Sequence, residues 1–167
     1  MIRHSPPARP ARSAPEHILR ALDQRLLTIA TVLLDDPTAP TDDPGSASTH
    51  LVPRLVDAVL RSSGRAEQWL LLTAVHAAYP DSATLLSFRR LCELNPPHYV
   101  ESWLFERALQ RVGARQAALP VRLVRDSVVV DVDFSARHDT HTGIHRVVRE
   151  TLPRWDSEHD LVAAAWT

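Results

Sequence analysis

The sequence has no lysine, one cysteine, one methionine and 4 glycines in 167 residues. A lone Cys92 excludes an internal disulfide framework and a cysteine-rich zinc site. So few glycines exclude collagen-like and glycine-rich low-complexity chains. Neither sign of charge dominates, since 19 basic side chains meet 20 acidic ones for a formal charge of -1. That balance lacks the cationic excess with which unspecific nucleic-acid binders displace counterions. No apolar run approaches the ~18 residues that a membrane-spanning helix requires. Met1 to Ala14 carries Arg3, Arg9 and Arg12 but no apolar stretch behind them, so it does not read as a secretory signal. The expectation is a soluble cytoplasmic protein with no nucleic-acid partner and no membrane span. The missing lysine, beside heavy use of Ala, Val, Leu and Pro, reads as GC-rich codon usage and carries no function.

What is present argues for a folded chain. A hydrophobic fraction of 44% with near-zero net charge excludes disorder along the whole length. The length suits one ordinary domain, or a small domain plus part of another.

Composition divides the chain into segments. Residues 1–14, with Pro6, Pro7 and Pro10 among Arg, Ser and Ala, read as a mobile tail. Residues 15–34 read as a helix, with Pro15 suited to its first turn. Ile18, Leu22, Leu26, Ile29 and Leu33 keep the spacing of one apolar face, which needs a partner to cover it. Residues 35–49, DDPTAPTDDPGSAST, read as a Pro/Asp-rich linker without a fixed shape and as a domain boundary.

Residues 50–119 read as a helical bundle. A short helix is expected over Val52 to Arg61, stopped by Ser62-Ser63-Gly64. A second runs from Arg65 to Ala78, and Pro80 ends it. Asp81 or Ser82 caps a third, which carries Leu85, Leu86, Phe88, Leu91, Cys92 and Leu94. After Asn95-Pro96-Pro97 a fourth carries Tyr99, Val100, Trp103, Leu104, Leu109 and Val112, with Gly113 as its stop. Short Pro-marked turns pack such helices as antiparallel hairpins. Trp69, Trp103, Phe88 and Phe105 read as core or helix seam, Cys92 as a small buried hydrophobe, and His76 as a packed histidine.

Residues 120–167 change period. PVRLVRD, residues 120–126, joins the bundle to the first strand and is a candidate for an edge strand of its own. Ser127 to Asp133 is a β-branched run suited to a strand buried on both faces. A polar loop, Ser135 to His141, comes after it. Thr142-Gly143 then opens a helix with Ile144, Val147, Val148 and Leu152, ended by Pro153. Leu161 to Trp166 is a second strand candidate. Strand, helix, strand is the βαβ unit, with its nearly always right-handed crossover. Two parallel strands and one helix leave a parallel sheet short of layers, so this segment reads as an incomplete Rossmann-like unit. The expected fold class is mostly α with a C-terminal α/β piece.

The chemistry is concentrated in VVVDVDFSARHDTHTGIHRVVRE, Val128 to Glu150. Open α/β sheets bind ligands beyond the carboxyl ends of their strands. Asp131 and Asp133 fall there, on one side of the strand by its period of two. The helix opened by Thr142-Gly143 offers unpaired N–H groups and a positive dipole end to an anion. The plainer alternative is that Thr142 merely caps the helix and Gly143 eases the turn. Two rival chemistries are weaker. An Asp131-Val132-Asp133 metal pair of the kind used by cation-dependent sugar transferases or phosphatases lacks the residues that normally accompany it, since Phe134-Ser135 comes next. His138, Asp139, His141 and His145 crowd one stretch, but no Glu lies within the His141–His145 spacing as a metalloprotease needs. No metal and no cofactor is expected. Arg146 and Arg149 most simply form a solvated face, with phosphate recognition by Arg146 as the alternative.

At these residues the sequence resembles bacterial glycosyltransferases of the GT-B fold, in the family-4-like group. Their first strand, loop and helix carry a pattern close to DVS…RxDxxTGIxRVVR…L. The matching residues are Asp131, Arg137, Asp139, Thr142, Gly143, Ile144, Arg146, Val147, Val148 and Arg149, with His145 where the pattern usually has Gln. The similarity covers roughly Val128 to Trp166. It implies a transferase that moves a sugar from a nucleotide-sugar donor to a glycan or lipid-linked acceptor between two Rossmann-like domains. By that layout the loop holding Asp131, Asp133, Arg137, Asp139, Thr142, Gly143 and Arg146 faces the acceptor or a phosphate. The donor-binding domain lies outside these residues, so the chain alone is expected to be inactive. Its partners would then be that missing C-terminal part or other glycan-assembly proteins in polysaccharide biosynthesis. The alternative is a non-catalytic helical protein-interaction module.

Overall fold

The computed structural model describes residues 16–62, 64–111, 114–138 and 143–165. Expectations placed on the 1–14 tail, Pro15, Ser63, Val112, Gly113, Asp139, His141, Thr142 and Trp166 fall outside the described residues, as do those on the side chains of Leu109, Ile144 and His145. The elements in order are α1 (Glu16–Leu33), α2 (Ser46–Ser62), α3 (Arg65–His76), α4 (Ser82–Leu94), α5 (Pro97–Arg111), α6 (Ala114–Ala117), β1 (Val128–Asp131), α7 (Asp133–Arg137), α8 (Gly143–Glu158) and β2 (Leu161–Ala164). The described chain is thus mostly helical, with two parallel strands near its C-terminal end. It divides into two compact units, Met1–Arg122 and Leu123–Thr167.

The apolar face of α1 finds its cover on α2 and α3. Leu26 and Ile29 are wholly buried there against Leu51, Leu55, Val56, Leu71 and Leu72. Burying each such side chain is worth ~1.5–3 kcal/mol relative to leaving it in water. That packing places α1 inside the first unit, so the break between units falls after Arg122 rather than in residues 35–49.

The segment expected to be a shapeless linker is tied down at both ends. Arg54 of α2 donates to the Asp36 carbonyl and, at 2.9 Å, to the Thr38 carbonyl. At the other end Asp23 of α1, itself buried, accepts from the backbone N–H of Gly45 at 2.6 Å and of Ser48 at 2.7 Å. A carboxylate from one helix thereby caps another, satisfying donors that a helix start leaves unpaired and matching its positive end. Gly45 has φ +88, a left-handed conformation open to glycine at little cost. With this cap α2 begins at Ser46, six residues before the expected Val52. Pro53 therefore lies inside the helix, where it cannot donate to the Thr49 carbonyl. Burial of Leu51, Val52, Leu55, Val56 and Val59 holds the helix together across that gap.

α3 ends on Ala77, at φ 50, three residues ahead of Pro80. Asp81 caps α4 by accepting from the Thr84 N–H at 2.6 Å, as its residue type suggests. Phe88 and Leu104 are fully buried, and Trp103 packs partly buried against the core, its ring centroid 5.5 Å from that of Phe88. Trp69 and Phe105, expected in the core or at a seam, are more exposed than Phe88 and Trp103, at 36% and 37%. Trp69 stacks instead on Tyr79 at 5.3 Å.

Arg25 is 2% exposed, deep among these helices. Its Nε donates to the Ala74 carbonyl at 2.6 Å, and its Nη1 donates to the carbonyls of Ala117 at 2.5 Å and Leu119 at 2.9 Å. Burial pushes its pKa down from the ordinary arginine value. Arg25 meets the last turn of α3 while Leu33 and Leu70 share a recess near its first turns, so α1 and α3 run antiparallel.

In the second unit β1 and β2 pair in parallel, Val128 opposite Leu161 and Asp131 opposite Ala164. Ser127 donates its hydroxyl to the Asp160 carboxylate at 2.5 Å at the entering end of the ladder. Residues 120–126 form no strand. Two further expectations fail. α8 passes through Pro153 to Glu158, losing a donor for the Arg149 carbonyl but not the helix. The β1 side chains are not buried on both faces, as Val129 is 58% exposed.

Candidate functional site

The site expected from the sequence lies at the carboxyl end of β1. There the Val132 N–H still donates to the Ala164 carbonyl at 2.8 Å, and then the chain leaves the sheet. Val132 has φ -114 and ψ 10, so the extended run stops at Asp131. Asp133 is the first residue of α7 and not a strand residue. The two carboxylates therefore do not share a strand face, and the period-of-two argument does not apply to them. A different geometry joins them. The Asp131 side chain accepts from the Asp133 N–H at 2.9 Å, an Asx turn in which a short carboxylate satisfies the amide two residues on. Such a turn releases the chain from extended conformation and starts α7 without a capping side chain at Val132.

Asp133 in turn accepts from Arg137 Nε at 2.8 Å, one helical turn later. The structure thus brings together Asp131, Asp133 and Arg137, three of the expected residues. His138 stacks on Phe134 with ring centroids 4.3 Å apart, its Nδ1 lying 3.1 Å from the Phe134 carbonyl oxygen, an exposed contact local to the end of α7. Arg146, in the first part of α8, pairs with Glu150 at 2.7 Å on its own helix, both side chains well exposed. Gly143 opens α8, the element whose first turn was expected to favour an anion. Asp139 and Thr142 lie outside the described residues.

The cluster sets carboxylate acceptors beside guanidinium donors, Asp131 and Asp133 against Arg137. That mixture of acceptors and cationic donors suits polyol or phosphate recognition. No group of three or more His, Cys, Asp or Glu side chains that could hold a metal ion exists among the described residues.

Two recesses lie among the described residues of the first unit. One, about 260 Å³, is lined by Val32, Leu33, Ala58, Leu70 and the Glu67 side of α3. The other, about 120 Å³, is lined by His76, Tyr79, Asp81, Thr84 and Gln116. Both fall below the ~300–1,000 Å³ of ordinary small-molecule sites. Cys92 is half-buried, and burial, with Glu93 nearby, pushes its thiol up to about 11, so it is no nucleophile near neutral pH.

Two residues that matter to the fold escaped the sequence reading, Asp23 and Arg25. Their signal was positional. Arg25 occupies an apolar-face position in the series Leu22, Arg25, Leu26, Ile29, where a charge is out of place unless it is paired inside.

Comparison of the chain with protein-family models, with curated proteins and with solved structures finds no match. No helix among the described residues is long and apolar enough to cross a membrane.

Proposed function

We propose that the second unit is the opening strand, loop, helix and strand of a GT-B glycosyltransferase, with the helical unit as an extension ahead of it. The supporting observation is the parallel pairing of β1 with β2 around an aspartate-ended strand and a glycine-opened helix. On this reading Asp131, Asp133, Arg137, Asp139, Thr142, Gly143 and Arg146 face an acceptor glycan or lipid-linked acceptor. Carboxylates accept from sugar hydroxyls, and guanidinium groups meet phosphate. The nucleotide-sugar donor would bind a second Rossmann-like domain, without which these residues transfer nothing. The enzyme would serve polysaccharide assembly.

A second reading, a non-catalytic helical interaction module, draws on one specific observation. Every buried apolar side chain among the described residues belongs to the first unit. The two readings separate in a backbone-amide NMR titration of the chain with a short oligosaccharide and with a UDP-hexose. The transferase reading expects oligosaccharide-induced shifts clustered from Asp131 to Arg146, with none from the UDP-hexose. Shifts confined to the helical unit, or absent with both probes, would contradict it.

A further inference from the structure

We infer that Arg25 is the clasp of a releasable strap, residues 114–119, and thereby sets the length of the tether leading to the second unit. Two of the three carbonyls held by its guanidinium, those of Ala117 and Leu119, belong to the strap, and the third, of Ala74, belongs to the last turn of α3. The buried cation has no carboxylate partner among the described residues. Its charge is balanced by carbonyls at or just beyond helix ends, where the helix dipole is negative. Little else that is described fixes the strap. Among its described side chains Ala117 is buried and Leu119 is 54% exposed, and α6 has four residues, too few for a helix to persist unaided.

A guanidinium in this place acts differently from an apolar plug. Closed, it is desolvated and depends on all three acceptors at once. Open, both the cation and the freed carbonyls regain water, so hydration offsets the lost bonds and release is reversible. The consequence lies in chain length. From the pinned Leu119 to the start of β1 at Val128 the backbone spans at most about 30 Å, and release back to Ala114 at the start of α6 raises that limit to about 50 Å. The clasp therefore switches the tether between a short and a long reach.

The test is hydrogen exchange on the full chain carrying Arg25→Met. The amides of Ala117 to Leu119 should exchange at least tenfold faster, while those of Leu55 to Val59 stay within twofold. Arg25→Lys, which keeps the charge but concentrates it on one ammonium, should fall between, and it carries the experiment where the Met variant fails to fold. Equal acceleration of both sets would make Arg25 an ordinary stability residue and overturn the clasp, as would no acceleration in the strap. Spin labels at Ser102→Cys and Glu158→Cys in a Cys92→Ser background read the tether. Their distance distribution should broaden in Arg25→Met, and an unchanged distribution would overturn the switch.

Discussion

The two units are made of similar residues and reach opposite outcomes. The first wraps α1 through α5 around a common interior, so that seventeen apolar side chains from Leu22 to Leu104 form one buried cluster. The second has Val128, Val129, Phe134, Val147 and Trp155, side chains as apolar as those, and leaves each at least 39% exposed. Layers make the difference. Helices joined by short turns cover one another, whereas a two-stranded parallel sheet with one long helix has a face and two edges left over. Hydrophobic residues alone do not make a core.

Mutations should expose this contrast, beginning with the largest effect. Phe88→Ala empties a fully buried site in the first unit and should cost about 3–5 kcal/mol in chemical denaturation. Val129→Ala, in the exposed β1, should change the midpoint by less than about 0.5 kcal/mol. Equal losses would dissolve the distinction between the units.

Cys92 measures how far the interior of the first unit reaches. With its thiol pushed up to about 11, the thiolate fraction at pH 8 is roughly a hundredth of that of an ordinary cysteine. Alkylation of the native chain should be slower by about that factor, and should quicken about tenfold per pH unit up to its pKa. A rate equal to that of the unfolded chain would contradict the burial.

Asp23→Ala strips both acceptors from the start of α2 and strands two N–H groups, a loss of about 1–3 kcal/mol by thermal or chemical unfolding. Asp23→Asn keeps one acceptor oxygen and should lose less. The smallest effect belongs to the second unit. Arg146→Ala breaks an exposed pair with Glu150, and solvent screening holds the change to about 0.5 kcal/mol or less.

Periodicity made much of the first unit legible. The stripe from Ile18 to Leu33 and the Asp81 cap are local signals, and the structure places α1 and α4 where they point. Pro153 misled the reading, because it sits inside a helix whose neighbours outweigh one missing hydrogen bond, as Pro53 does in α2. Residues 35–49 looked shapeless because their anchors, Asp23 and Arg54, lie elsewhere in the chain. At the candidate site the residue types were legible and their geometry was not. A period of two presumes that the strand continues, and the Asx turn at Asp131 ends it.

Residue-resolved hydrogen exchange of the intact chain tests the central claim, that stability resides in the helical unit and that the described side chains of the strand–helix–strand unit form no buried core. Amides of Leu51 to Val59 and Leu71 to Val75 should be protected to the level of global unfolding, a slowing of about 10³-fold or more. Those of Val129 to Asp131 and Val162 to Ala164 should exchange through local opening, orders of magnitude faster. Equal protection in the two sets would show that the second unit shares the cooperative core and would contradict the account.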